Sequence, residues 1–195
     1  MNLVLASSSP RRRELLGLLG LVPEVVPANI AEHRAAHEGP MAYVERLARE
    51  KAMIVAQQRP DALVIAADTT VAIGEDIFEK PADPADAARI LALLAGRDHL
   101  VHTGIAVVRG GRQAAGVETT RVWMRPLDDA AIRDYIATGE PMDKAGAYGI
   151  QGFGAVLVER IEGDYFTVMG LGLGRLIELI GQVGLAYRFG RLTPV

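Results

Sequence analysis

Three segments of the chain hold residue types that could do chemistry on a phosphorylated molecule. The first is Ser7-Ser8-Ser9-Pro10-Arg11-Arg12-Arg13-Glu14, at the end of an apolar run and the start of a helix-forming stretch. Helix N-terminal N–H groups, serine hydroxyls and guanidinium groups together can hold a polyanion such as a phosphate chain. An ordinary capped helix with solvated arginines has the same pattern. The second is Ala67-Asp68-Thr69-Thr70, followed by Glu79-Lys80-Pro81-Ala82-Asp83. A carboxylate beyond a strand end can bind a metal or take a proton from water, and a nearby lysine neutralises phosphate. The plainer alternative is that Asp68 caps a turn. The third runs from Asp143-Lys144 to Gln151-Gly152 and has three glycines in seven residues. Glycine lets backbone approach a ligand closely, and the Gln151 amide could read a base edge. On its own, such a segment is simply a glycine loop.

The elements that must position these residues follow from periodicity. Leu3 to Ala6 predicts a short buried strand, and Ser9 with Pro10 predicts an N-cap and first helical position. That helix runs to about Leu19, with Leu15, Leu16, Leu18 and Leu19 inward and Gly20 closing it. A strand is expected over Val22–Val26 and a helix over 40–58 from the spacing of Val44, Leu47, Ala48, Ala52 and Val55. The apolar run 62–67 suits a strand covered on both faces. Further expectations are a helix over Pro84–Leu94 capped by Asp83 and a hairpin of Val101–Val108 with Val117–Met124. A helix over Leu127–Ala137, a strand over Ala155–Ile161 and a helix over Leu171–Val183 complete the pattern. This is an α/β chain with a mixed sheet.

Composition bounds the rest. The chain has 195 residues, half of them apolar, and a formal charge of −3 from 21 basic and 24 acidic residues. That balance argues against a broad nucleic-acid-binding face. With no cysteine, disulfides, thiolate metal sites and cysteine nucleophiles are excluded. Neither a secretory leader nor a membrane span is expected, and a cytoplasmic location is. His33 and His37 have helical metal-pair spacing, but Arg34 stands where a zincin has glutamate. They read as surface histidines. His99 and His102 fall on opposite faces of a strand. Gly170-Leu171-Gly172-Leu173-Gly174 lacks dinucleotide-loop spacing and reads as a close approach of the last helix.

Seven blocks, in order, resemble the Maf family of nucleoside triphosphate pyrophosphatases. They start with Ala6-Ser7-x-Ser9-Pro10-Arg11-Arg12-x-Glu14-Leu15-Leu16, Leu47-Ala48-x-x-Lys51-Ala52, Ala67-Asp68-Thr69-x-Val71 and Lys80-Pro81-x-Asp83. They continue with Gly96-Arg97-x-His99-x-Val101-x-Thr103-Gly104, the segment Asp143–Gly152, and Val168-x-Gly170-Leu171. The family usually has Asn-Val-x-Gly-Leu-Pro near the end, where this chain has Thr167 and Gly172. Glycine often precedes the lysine of the Lys-Pro block, where this chain has Glu79.

The resemblance implies an inosine-triphosphatase-like fold: an elongated mixed β-sheet with flanking helices and two lobes around a cleft, all of residues 1–195 being one domain. It implies hydrolysis between the α- and β-phosphates with a divalent cation, Mg²⁺ or Mn²⁺, and a homodimer. Tyr148-Gly149-Ile150-Gln151-Gly152 is similar to the branch acting on dTTP and UTP, while the 7-methyl-GTP branch carries a Ser-Glu-Gly version. Arg11, Thr69 and Gln151 fall on positions linked to base choice, and Asp68 on the proposed general base. A triphosphate carries about four negative charges, so cations must neutralise it before water can attack. Arg11, Arg12, Lys51, Lys80 and Lys144 supply them, with Ser7 and Ser9 at the phosphates and Lys51 and Lys80 beside Asp68 in catalysis. Glu32 and Asp68 are the candidate oxygen ligands for the cation. Modified pyrimidine nucleotides are a further substrate class. The competing class is a non-catalytic nucleotide-binding regulator of division.

Overall fold

Strand β1 (Leu3–Leu5) leads through Ser7–Ser9 into helix α1 (Pro10–Leu18) in this computed structural model, which describes residues 2–195. A two-residue strand β2 (Glu24–Val25) precedes the long helix α2 (Pro40–Gln58). Strand β3 (Leu63–Ile73) turns back into β4 (Asp76–Phe78), and α3 (Pro84–Leu94) follows. Next come the hairpin strands β5 (Asp98–Arg109) and β6 (Arg112–Met124), then α4 (Asp129–Ala137). Three short 3-10 turns, Glu140–Asp143, Ala145–Ala147 and Gly152–Leu157, occupy the glycine-rich segment before β7 (Val158–Glu162). Helices α5 (Tyr165–Met169) and α6 (Leu173–Gln182) and the small hairpin β8 (Leu185–Tyr187) and β9 (Leu192–Pro194) end the chain.

The main sheet runs β2-β1-β3-β5-β6-β7, parallel among the first three and antiparallel afterwards, with β4 added to β3. It is the mixed sheet that the alternation of elements predicted. One edge of β3 carries two neighbours in succession. β1 pairs with Leu63–Ile65, and β4 with Val71–Ile73. Residues 66–70 between them have no strand on that edge among the described residues. The sheet therefore opens where β1 turns away into α1.

Alternation along β3 divides the core. Leu63, Ile65 and Ala67 pack with Leu15, Leu16, Leu176 and Ile180, so α1 and α6 cover one face. Val64 and Ala66 pack with Ala48, Ala52 and Val55 of α2 on the other. Strand β3 outruns its apolar half because Asp68, Thr69 and Thr70 continue the ladder with β5 despite being polar. The hairpin is also longer than its apolar runs, since His102 Nδ1 bonds Thr119 and His99 Nε2 bonds Tyr148, giving each imidazole a partner inside the sheet. Strand β2 is shorter than expected. Leu18 is 68% exposed rather than inward, because α1 ends there and only Leu15 and Leu16 are buried. The strand predicted from Ala155 begins at Val158, its first residues being held in a 3-10 turn. Elements β4, α5, β8 and β9 are too short to show a period.

Two residues of β5 yield tests. A Cβ at Gly104 would lie 2.2 Å from the Val44 carbonyl oxygen, so backbone meets backbone where α2 crosses β5. Gly104→Ala is expected to cost roughly 2–3 kcal/mol, measured by urea unfolding. Burial lowers the pKa of His99 from 6.5 to about 4, with Asp98 opposing slightly. The unfolded chain then binds more protons between these values, so stability is full above about pH 6.5 and falls as pH drops towards 4. The loss attributable to His99 is on the order of 3 kcal/mol. Unfolding of wild type and His99→Asn across this pH range should show the steeper slope in the wild type.

Candidate active site

The opening beside residues 66–70 is a cleft of about 590 Å³, within the range of roughly 300–1,000 Å³ usual for small-molecule sites. Every residue assigned a catalytic, substrate or metal role from the sequence lines it. The β1–α1 turn contributes Ser7, Ser9, Arg11 and Arg12, the segment before α2 contributes Glu32, and α2 contributes Lys51. Strand β3 contributes Asp68 and Thr69, the segment after β4 Lys80, and the glycine-rich segment Lys144 and Gln151.

Period-two alternation separates Asp68 from Thr69. Asp68 follows Val64 and Ala66 onto the α2 face, where Lys51 stands in the apolar stripe of α2, four residues after Leu47 and four before Val55. The Lys51 ammonium meets Asp68 Oδ1 at 2.6 Å and Glu32 Oε1 at 2.6 Å. Lys51 and Asp68 are buried, whereas Glu32 is half exposed. Above this pair the Tyr43 hydroxyl donates to Glu79 Oε1 at 2.5 Å. Burial and then the bond to Glu79 push the Tyr43 pKa well above the usual phenol range, with Asp68 and Glu32 adding to it.

Thr69 faces the other side and meets Arg12. The guanidinium donates to Gly170 O, Ser7 Oγ and Thr69 Oγ1 at 2.9, 3.0 and 3.1 Å, tying three separate sequence blocks together. Desolvation lowers the Arg12 pKa, and nearby Asp68 partly offsets this. Three of five N–H donors are used and two remain. Ser9 caps α1 through the Arg12 N–H, as its position predicted. Across the cleft mouth, Arg11 bonds Asp143 at 2.8 Å and Lys144 bonds the other Asp143 oxygen at 2.6 Å. Burial raises the Asp143 pKa, but these two cations outweigh it and lower the net value. Lys80 has no hydrogen bond or ion pair within the described residues.

Oxygen donors for a hard cation are present but sparse. Among the described residues, no cluster of three or more histidine or carboxylate side chains forms a ready-made cage. Glu32 and Asp68 lie on one ammonium and so are close enough to share an ion. Magnesium-type sites commonly use one or two carboxylates plus substrate phosphates, and this donor set fits that mode.

The glycine-rich segment wraps a residue that its spacing did not single out. Glu140 accepts hydrogen bonds from the Tyr135 hydroxyl and from the Phe153 and Gly154 N–H groups. Glu140, Tyr135, Tyr43 and the role of Glu79 were not visible as site features. For Glu140 the available signal was an unpaired carboxylate just upstream of clustered glycines. Thr167 and Gly172, which depart from the family pattern, meet each other: a Cβ at Gly172 would lie 2.8 Å from Thr167 Oγ1. Thr167 instead bonds the Asp164 cap of α5. His33 and His37 are exposed, and His99 and His102 bond different partners.

A family model for Maf-like proteins matches residues 2–183. The chain belongs to that family. Among curated relatives, the dTTP/UTP pyrophosphatase of Moorella thermoacetica is 53% identical over 94% of this chain and 96% of its own. Those of Koribacter versatilis and Vibrio cholerae are 48% and 49% identical, covering 95% and 92% of this chain and 96% of each relative. The Ham1 protein of Staphylococcus aureus shares the fold at 16% identity, with a TM-score of 0.51 over 81% of this chain and 80% of that one. No helix among the described residues is long and apolar enough to cross a membrane.

The two sides of the central ion pair are unequal. Asp68→Asn leaves Lys51 on Glu32, whereas Lys51→Met strands Asp68 as a buried lone charge. The Lys51→Met variant should lose about 3–5 kcal/mol. Adding Asp68→Asn to it should recover much of that loss, which a double-mutant cycle by urea unfolding would measure.

Proposed function

We propose that this protein hydrolyses dTTP and UTP between the α- and β-phosphates, releasing the nucleoside monophosphate and pyrophosphate. The observation that carries this reading is the buried Asp68–Lys51 pair at the floor of a cleft lined by five cationic side chains. High identity to relatives named dTTP/UTP pyrophosphatase over nearly their whole length supports the substrate class. Residues 1–195 act as one domain whose lobes meet at the cleft. The protein works in the cytoplasm as a homodimer, without nucleic acid or membrane partners, and modified pyrimidine triphosphates are further substrates.

Charge balance dictates how the site must work. The cleft is lined by five cationic and four anionic side chains, a net of one positive charge. A triphosphate brings about four negative charges. A divalent cation, Mg²⁺ or Mn²⁺, held by Glu32 and Asp68, would supply two of the roughly three positive charges still needed at the phosphates. Lys80, free of internal partners, meets the incoming phosphates first. Arg11 and Lys144 follow as they exchange Asp143 for phosphate oxygens. The two unused N–H donors of Arg12, with Ser7 and Ser9, hold the chain in line. Asp68 orients water and accepts its proton for attack at the α-phosphorus, while Lys51 holds the Asp68 carboxylate in place. Gln151 and Thr69 read the pyrimidine edge with Arg11.

A panel of nucleoside triphosphates assayed for pyrophosphate against orthophosphate tests this reading. Pyrophosphate from dTTP and UTP, at rates well above those for the other triphosphates, is expected. Orthophosphate alone, or no release from any of them, overturns it and favours a binding regulator. Asp68→Asn should lower turnover by roughly 10²–10⁴-fold. Binding of dTTP and the unfolding midpoint should remain near wild type, because Lys51 keeps Glu32.

A further inference from the structure

The clasp that shapes the glycine-rich segment lies outside the cleft. Glu140 begins the 3-10 turn after α4 and is absent from the cleft wall. Its Oε1 accepts from the Tyr135 hydroxyl at 2.8 Å and the Gly154 N–H at 3.0 Å, and its Oε2 accepts from the Phe153 N–H at 2.8 Å. The Tyr135 oxygen in turn accepts from the Gly149 N–H at 3.1 Å. Backbone groups on both sides of Gln151 are thus fastened to two side chains projecting from the end of α4.

The glycines of this segment serve the carboxylate. A Cβ at Gly152 would fall 2.5 Å from Glu140 Oε2, and one at Gly154 3.0 Å from Oε1. Gly152 also has φ of +64°, so a side chain is excluded there on two counts. The bare backbone is what admits Glu140. Burial opposes its charge, but hydrogen bonds from Gly154, Tyr135 and Phe153 outweigh burial and lower its pKa. Gln151, by contrast, is exposed at the cleft and its amide makes no hydrogen bond among the described residues. The backbone on either side sets the direction in which that side chain leaves the chain.

We propose that Glu140, helped by Tyr135, is the positioning residue that aims the Gln151 amide at the nucleobase and so sets base discrimination. This deepens the pyrimidine reading of the cleft and rests on it. Glu140 touches no substrate. It acts by holding Gly149, Phe153 and Gly154, and with them the direction of Gln151. Its own carbonyl also receives the Lys144 ammonium at 2.6 Å, so the same turn that orients Gln151 orients one phosphate-facing cation.

Steady-state kinetics on dTTP and dCTP test it in wild type, Glu140→Gln, Gln151→Ala and the double variant. Glu140→Gln replaces an acceptor with a donor facing the Phe153 N–H. It should raise KM for dTTP and cut the dTTP-over-dCTP preference about tenfold, the equivalent of about 1.4 kcal/mol. The kcat should change far less. In the Gln151→Ala background the same substitution should not change the preference further. A merely structural clasp would lower the unfolding midpoint and leave the preference of the folded enzyme intact, which would overturn the proposal. An equal further loss in the double variant would overturn it too. If Glu140→Gln fails to fold, Tyr135→Phe cuts only the link to Gly149 and should shift the preference in the same direction by a smaller factor. Calorimetric binding of the α,β-imido analogues of dUTP and dCTP reads discrimination without turnover. Failure of the hydrolytic reading therefore leaves this test standing, and a wild type that binds both analogues equally overturns the proposal.

Discussion

A buried ammonium shared by two carboxylates fixes the relation between the longest helix and the central strand. Lys51 sits in the apolar stripe of α2, with Ala48, Ala52 and Val55 around it, and reaches Asp68 on β3 and Glu32 ahead of the helix. Desolvating such charges is expensive unless geometry is good and partners are present. The helix therefore has one register on the sheet in which its core residues are buried and its lysine is satisfied. Bare backbone at Gly104 lets α2 come close enough for that register. Core and active site are the same contact seen from two sides.

The same logic extends outward through the cleft. Each cation but Lys80 already has an internal acceptor: Asp143 for Arg11 and Lys144, carbonyl and hydroxyl oxygens for Arg12, carboxylates for Lys51. The slightly acidic composition of the chain argued against a broad anion-binding face, and the cleft itself is close to neutral. A triphosphate entering it would bind by exchange of partners, with phosphate oxygens replacing internal ones. Exchange favours a ligand that satisfies several cations at once, so a polyphosphate gains more than a single phosphate can.

Much of the arrangement was legible in residue spacing. Ser9-Pro10 marked the start of α1, Asp83-Pro84 that of α3, and the apolar run before Asp68 marked the central strand. Lys51 came only from the family block Leu47-Ala48-x-x-Lys51-Ala52, although it stands at a buried position in the apolar stripe of α2. Harder to see was where polar residues continue a strand. Thr69, His99 and His102 extend β3 and β5 because partners distant in sequence bond their side chains, and no local period encodes that. Tyr43, at 1% exposure, packs as core, and its contact with Glu79 brings it to the site. The short elements β4 and α5 are fixed by tertiary pairing rather than by pattern.

Glycine deserves a different reading in such a chain. A cluster of glycines beside a candidate site suggests backbone open to a ligand, yet at 152 the space is filled by the Glu140 carboxylate and at 154 by the Gly149 carbonyl and the Tyr135 hydroxyl, with Glu140 behind them. Gly172 is likewise filled from within, by Thr167, so the two departures near the end of the chain form one local solution. Glu79 follows the same rule. The side chain added where the family often has glycine finds the Tyr43 hydroxyl, and its backbone carbonyl accepts the Gly146 N–H. In each case a position that departs from expectation is explained by a partner inside the fold. A motif residue identifies a site, while the residue filling the space behind it decides how rigidly that site is held.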